Sequence, residues 1–356
     1  MSNTKILYYI RIILYNTSRS NGLRGEIIFM NYIIMDLEWN QCASGKVNSL
    51  PDMPFEIIEI GAVKLDEKLR YKGEWRRVIK PRVYTKLQSA VKKVIHLTEE
   101  DLCNGDSFEN AIAEFLDWCG DEYTFAIWGS MDLTELQRNM KHYGVAIPFQ
   151  RPLIYLDVQK LYSYMFLDGK DKLNLKSAIQ ELEIRETEEY HSALSDAHYT
   201  AKVLQKIDLK KVGHYTSIDT YFIPNTRREE IYQNYGEYEK YISRGFDTRE
   251  RAAEDRIVRA CNCITCGKQM RRKIKWFATN SKVYYGVFEC PEHGLIKGRF
   301  RTKQADNGQY FVIRIMKKTD AKGALKIKEK QAKEREHKRQ RRQVERRNAM
   351  KKAENQ

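Results

Sequence analysis

The sequence predicts an α/β fold: a mixed sheet flanked by helices, followed by a small β-rich module and a basic tail. Three observations carry that prediction. Short apolar runs and amphipathic stretches alternate through roughly the first 208 residues. A later segment, rich in β-branched and aromatic residues, holds a cluster of cysteines. Residues 321–356 carry fourteen Lys/Arg against five Glu, so most of the chain's net charge of +15 sits in the tail.

Residues 1–29 read as an N-terminal extension. Their apolar run, Ile6 to Tyr15, is interrupted by Arg11. It falls short of the roughly 18–20 apolar residues that a membrane helix needs, and no small-residue cleavage site follows it. Met30 followed by Asn31-Tyr32-Ile33-Ile34 is a natural opening to a first strand, so a start assigned too far upstream is the alternative.

Residues 31–36 (NYIIMD) form an apolar run ending in an acid, the pattern of a buried strand. Residues 55–66 and 73–80 add two strands, after a polar loop with Pro51 and Pro54. Thr98 with acids behind it opens a helix over 98–103. In 107–119, Phe108, Ile112, Phe115, Leu116 and Cys119 fall near one stripe of a helix. A strand at 123–128 precedes a helix at 132–143 that ends at Gly144. A short strand at 153–157 and helices at 158–166, 174–182 and 192–207 complete a domain over 30–208. Residues 209–256, polar and Tyr-rich, read as a helical connector. Residues 257–316 read as the β-rich module, with turn signals at Asn280-Ser281 and Asp306-Asn307-Gly308. Residues 317–356 favour helix but lack an apolar seam, and so form either a solvated helix or a disordered tail.

A pI of about 9.3 points to a polyanionic partner, nucleic acid first and an anionic membrane surface second. No stretch is apolar enough to span a membrane. Seven cysteines, odd in number and partly clustered, fit a reducing, cytoplasmic setting and a metal site better than a disulfide framework. No feature fixes an oligomeric state.

Asp36 and Glu38 are separated by one residue at the end of a strand, so their side chains share a face. Adjacent carboxylates repel unless a cation lies between them, and hard oxygen ligands suit Mg²⁺ or Mn²⁺. A plain surface pair shows the same spacing. Asp132 follows a second apolar strand and begins a helix, where an acid in the first turn is favoured in any case.

The segment His191-Ser-Ala-Leu-Ser-Asp196-Ala-His-Tyr-Thr-Ala201 is more specific. Its pattern, H-x-A-x-x-D-A-x-x-T, resembles the third motif of the DEDD-type, DnaQ-like 3′→5′ exonucleases. The D-x-E at Asp36 resembles the first motif, and W-G-x-x-D-x-x-x-L from Trp128 to Leu136 the second. The runs IIEIGAV and I-H-L-T-E-E-D-L (Ile95 to Leu102) are also similar. The resemblance covers about residues 30–207. His191 fits the histidine branch; the tyrosine branch needs Tyr at position 192, which is Ser, and Tyr190 is out of register.

That resemblance implies a ribonuclease H-like sheet and two-metal phosphodiester hydrolysis. Asp36, Glu38, Asp132 and Asp196 would hold two Mg²⁺ or Mn²⁺ ions roughly 3.5–4 Å apart. His191 would act as general base, a role that a neutral imidazole suits near neutral pH. The substrate would be RNA or single-stranded DNA, shortened from its 3′ end to release nucleoside 5′-monophosphates. Trp39 stands where many members carry Thr, which resembles the Eri-like and KapD-like subgroup more than polymerase proofreading subunits. Leu37 and Trp39 are the expected substrate contacts. His198 follows the acid instead of preceding it and is not expected to be the base. The other reading is a non-catalytic nucleic-acid-binding protein on the same fold; none of the four acids is missing, which favours the enzyme.

Cys263-x-x-Cys266 and Cys290-x-x-His293 have the paired short spacing of a tetrahedral Zn²⁺ site, with Gly267 and Gly294 suited to knuckle turns. This resembles a zinc ribbon holding one structural Zn²⁺, with Cys261 as a spare ligand. Lys268, Arg271, Arg272, Lys273 and Lys275, with Trp276, Tyr284 and Tyr285, offer basic and aromatic surface for single strands. A purely structural cap is the alternative.

Overall fold

The computed structural model describes residues 30–169, 171–186, 191–279 and 282–354. The N-terminal extension (1–29), Tyr190 and the turn predicted at Asn280-Ser281 lie outside the described residues. The chain divides into two compact units, one up to Thr220 and one from Tyr221.

The first unit opens with three strands, β1 (Asn31–Gln41), β2 (Phe55–Leu65) and β3 (Tyr71–Val78). Two short helices follow, α1 (Ser89–Lys92) and α2 (Glu99–Cys103), then α3 (Phe108–Cys119). Next come β4 (Tyr123–Ile127), α4 (Met131–His142), β5 (Ile154–Asp157), α5 (Val158–Phe166), α6 (Leu175–Glu181), α7 (Ala193–Lys206), α8 (Leu209–Val212) and β6 (Ser217–Ile218). The sheet order is β3-β2-β1-β4-β5-β6. β2 runs antiparallel to β1 and β3, whereas β4 and β5 run parallel to β1. This is the mixed sheet that the sequence predicts and that the resemblance implies to be ribonuclease H-like.

Local chemistry sets the helix ends. Thr98 and Asp101 close a capping box on α2, and the Ser107 hydroxyl accepts from the Asn110 N–H to open α3. Past α4, Gly144 adopts φ +70°, and the Val145 N–H returns to the Met140 carbonyl at 2.8 Å, so the chain turns where the glycine permits it.

Strand alternation sorts β1 onto two faces. Ile33, Met35 and Leu37 join the core under α3 and α4, with Phe108, Phe115 and Leu136. Ile34 joins the opposite core with Ala197, Tyr199 and Leu204 of α7. Asp36 and Glu38 continue the Ile34 face, the face that α7 covers.

The chain beyond residue 208 corrects two expectations. Residues 209–256 are not a helical connector. They contain α8, β6, β7 (Ile231–Asn234), β8 (Tyr238–Ile242) and α9 (Arg249–Glu254). Tyr238, Tyr241 and Ile242 are buried, so these tyrosines are sheet and core residues and not the surface of a helix. The β-rich module is correspondingly larger than 257–316. With β9 (Arg271–Ala278), β10 (Val283–Cys290), β11 (Gly294–Gln304) and β12 (Tyr310–Lys318) it forms one antiparallel sheet, ordered β7-β8-β12-β11-β10-β9. The tail is helix α10 (Ala321–Glu354), the first of the two states expected. Trp276 and Tyr284 are not open surface: Trp276 packs on Phe288 and Phe300, and Tyr284 stacks on Phe300 at 4.4 Å. No helix among the described residues is long and apolar enough to cross a membrane.

Candidate active site and candidate metal centre

Three of the predicted carboxylates meet. Asp36 and Glu38 from β1 and Asp196 from the first turn of α7 offer oxygens that all lie within 4.8 Å of one another. What brings them together is Gly61 on β2. Gly61 pairs with Asp36 in the β1–β2 register, and a Cβ built on it would meet the Leu194 backbone nitrogen at 2.1 Å. Only a residue without a side chain lets α7 come this close.

Asp132 does not join that trio within the same distance. It sits buried in the first turn of α4, where the Leu37 backbone N–H and its own N–H donate to its carboxylate. Its charge still reaches Asp36, on which it acts most strongly among the neighbouring acids. Leu37, predicted to touch substrate, thus spends its backbone donor on Asp132, and its side chain is buried in the α3–α4 core. Trp39 follows a bulge between Glu38 and Trp39 and is half-buried, its ring 5.5 Å from that of Phe55.

Burial and mutual repulsion dominate the electrostatics. Burial, then the charges of Asp132, Asp196 and Glu38, hold the Asp36 carboxyl well above its usual range. Burial and the same kind of crowding push Glu38 to about 8. Burial pushes Asp132 to about 7 against its two N–H donors. Burial also raises Asp196, opposed by the His191 charge and backbone N–H. Moreover, Asp196 Oδ1 is buried with no hydrogen-bond partner among the described residues. Crowded oxygens, raised carboxyls and an orphaned acceptor fit a divalent cation, whose charge would answer all three.

His191 is exposed beside this cluster, with φ +69°, a left-handed backbone that costs a non-glycine residue about 1–3 kcal/mol. The fold holds it there through the Asp196 side chain, which accepts its backbone N–H. His198 is engaged elsewhere: its Nε2 lies 2.8 Å from Glu74, and its ring stacks on Tyr71.

Glu59 is a site residue that was not singled out in the sequence. It is buried on β2 directly across from Glu38. Its carboxylate accepts from the Ala193 N–H at 3.2 Å and pairs with the Arg76 guanidinium. A lone acid inside the apolar run IIEIGAV was the available signal.

In the second unit, Cys263, Cys266, Cys290 and His293 also converge within 4.8 Å. Cys290 Sγ lies 3.8 Å from Cys266 Sγ and 3.5 Å from His293 Nδ1. Gly267 and Gly294 take φ +72° and +75°, the turn geometry their positions predict. Burial raises the Cys263 thiol, but the N–H groups of Cys266 and Thr265 outweigh it and lower the thiol, favouring the thiolate. Cys261 is not among the converging four, and its Sγ donates to the Arg259 carbonyl at 3.1 Å. Soft sulfur and imidazole donors in a closed set of four fit Zn²⁺.

Residues 33–204 match the family model for RNase T, described as Exonuclease. A sequence relative is the PolC-type DNA polymerase III of Staphylococcus saprophyticus, 22% identical over 193 residues, which are 53% of this chain and 12% of the polymerase. The chain therefore matches only about an eighth of that relative's length. Among solved structures, the nuclease domain of 3'hExo, a DEDDh family member, bound to rAMP, is 17% identical with a TM-score of 0.45, covering 55% of this chain and 98% of that one. Exonuclease I of E. coli in complex with a dA16 oligonucleotide is 12% identical with a TM-score of 0.42, covering 73% of this chain and 55% of that one.

Proposed function

We propose that this chain, whose residues 33–204 form an exonuclease-family domain, is a metal-dependent 3′→5′ exonuclease of the histidine branch that acts on RNA or single-stranded DNA. The observation that carries this reading is the meeting of half-buried Asp36, Glu38 and Asp196, with His191 at the edge and one Asp196 oxygen unpartnered.

Asp36, Glu38, Asp132 and Asp196 would hold two Mg²⁺ or Mn²⁺ ions. Such ions supply Lewis acidity for the attacking water and charge compensation for the departing 3′-oxygen. His191, exposed and left-handed, accepts a proton at a ring nitrogen as the water attacks. Asp196 orients it through the backbone N–H contact. Trp39 and the Leu37 backbone border the place of the terminal nucleotide, and the product is a nucleoside 5′-monophosphate. Cys263, Cys266, Cys290 and His293 hold one structural Zn²⁺. Their thiolates suit a reducing, cytoplasmic setting.

The test is incubation of 5′-labelled RNA and DNA oligonucleotides with Mg²⁺ or Mn²⁺, beside Asp36→Ala and His191→Ala. The expected result is a ladder shortening from the 3′ end, metal-dependent and absent in Asp36→Ala. If neither substrate is cut in either metal, the reading fails.

A further inference from the structure

A row of cations runs along β11 in the second unit. Alternation turns Ile296, Phe300 and Thr302 into the core and leaves Lys297, Arg299, Arg301 and Lys303 on the other face. Arg299 and Arg301 are exposed and form no ion pair among the described residues. Strand register brings aromatic rings to the same face: Tyr285 lies directly across from Arg299, and Phe277 directly across from Tyr285, their rings 6.2 Å apart. The early turns of α10 share this face, where Lys330 Nζ sits 4.3 Å over the Tyr285 ring. Farther along α10, Arg335, Lys338, Arg339 and Arg342 fall at i, i+3, i+4 and i+7, one exposed basic stripe.

We propose that this face binds a single-stranded nucleic acid, its phosphates along β11 and its bases beside Tyr285 and Phe277. The charge row complements a polyanion, and half-buried rings next to cations offer stacking that only unpaired bases can use. The proposal rests on nucleic acid being the substrate and adds a second holding surface for it, outside the catalytic unit.

The test is fluorescence anisotropy of labelled single-stranded RNA and DNA with the full chain in EDTA, across a salt series. Binding is read without metal, so a protein that fails to cut still reports on this surface. Arg299→Glu/Arg301→Glu is expected to weaken both strands about tenfold and to flatten the salt slope by roughly 1.4 for two lost phosphate contacts. The charge-matched control Lys68→Glu/Lys72→Glu, on the first unit, is expected to do neither. Arg299→Gln/Arg301→Gln gives a milder form should the reversal unfold the sheet, which thermal melts report. Unchanged affinity in folded variants, an equal loss in the control, or a duplex bound as tightly as the single strand overturns the proposal.

Discussion

The Glu59 carboxylate accepts the Ala193 backbone N–H at 3.2 Å, tying β2 to the first turn of the helix that carries Asp196. Glu59 also adds like charge to Asp36 and Glu38. It therefore positions the helix turn that carries Asp196 while its charge acts on all three clustered carboxylates. Glu59→Ala should cost about 1.5–3 kcal/mol, the range for a hydrogen bond to a charged group. Glu59→Gln keeps an acceptor for the Ala193 N–H and should retain more of both stability and turnover. Urea denaturation and kcat of the two variants check this; equal losses would refute the positioning role.

Asp36→Ala should abolish cleavage, because it removes the carboxylate on which the charges of Asp132, Asp196 and Glu38 all act. His191→Ala should lower kcat by roughly 10²–10⁴-fold, the usual worth of a general base. Divalent-cation affinity should survive in His191→Ala and collapse in Asp36→Ala. Calorimetric titration separates the two, and loss of metal affinity in both would deny His191 its role.

Without divalent cations, stability should fall as pH rises. Folded Glu38 keeps its proton to about 8 and Asp132 to about 7, whereas an unfolded chain releases both near ordinary carboxylate values. The folded state thus binds more protons between roughly pH 4 and pH 8, and the slope of unfolding free energy against pH is negative there. Melts in EDTA should shift downward across that window, and Mg²⁺ or Mn²⁺ should stabilise most at its alkaline end. A flat EDTA profile would contradict the raised carboxyls.

Cys263→Ser should take bound zinc from one per chain toward none, whereas Cys261→Ser should leave it unchanged. Each kcal/mol lost should lower the melting temperature by roughly 3–4 °C in a unit of this size. Metal analysis with parallel melts tests both halves, and retained zinc in Cys263→Ser would remove the site.

Much of the first unit was legible because its signals are local. Thr98 and Ser107 mark their own helices, and α5 lies at 158–166, where the apolar pattern placed it. The candidate site was legible from Asp36 to Glu38, where strand spacing carries the chemistry, and from His191 to Asp196, where the motif resemblance carried it. Glu59 was not, since its partner Ala193 lies 134 positions away and nothing in the sequence pairs them. The sheet of the second unit hid for a related reason. Tyr238 and Tyr241 read as polar until pairing buries them, and which face Trp276 or Tyr285 takes depends on hairpin register.

Gly61 has a consequence for how this chain tolerates change. The gap between β2 and α7 is metered by one backbone resting on another, not by the volume of any side chain. The separation of Asp36 from Asp196 is thus set where Gly61, paired with Asp36, meets the backbone of the helix that carries Asp196. A single methyl group at Gly61 would lift the helix off the strand and open the cluster from beneath.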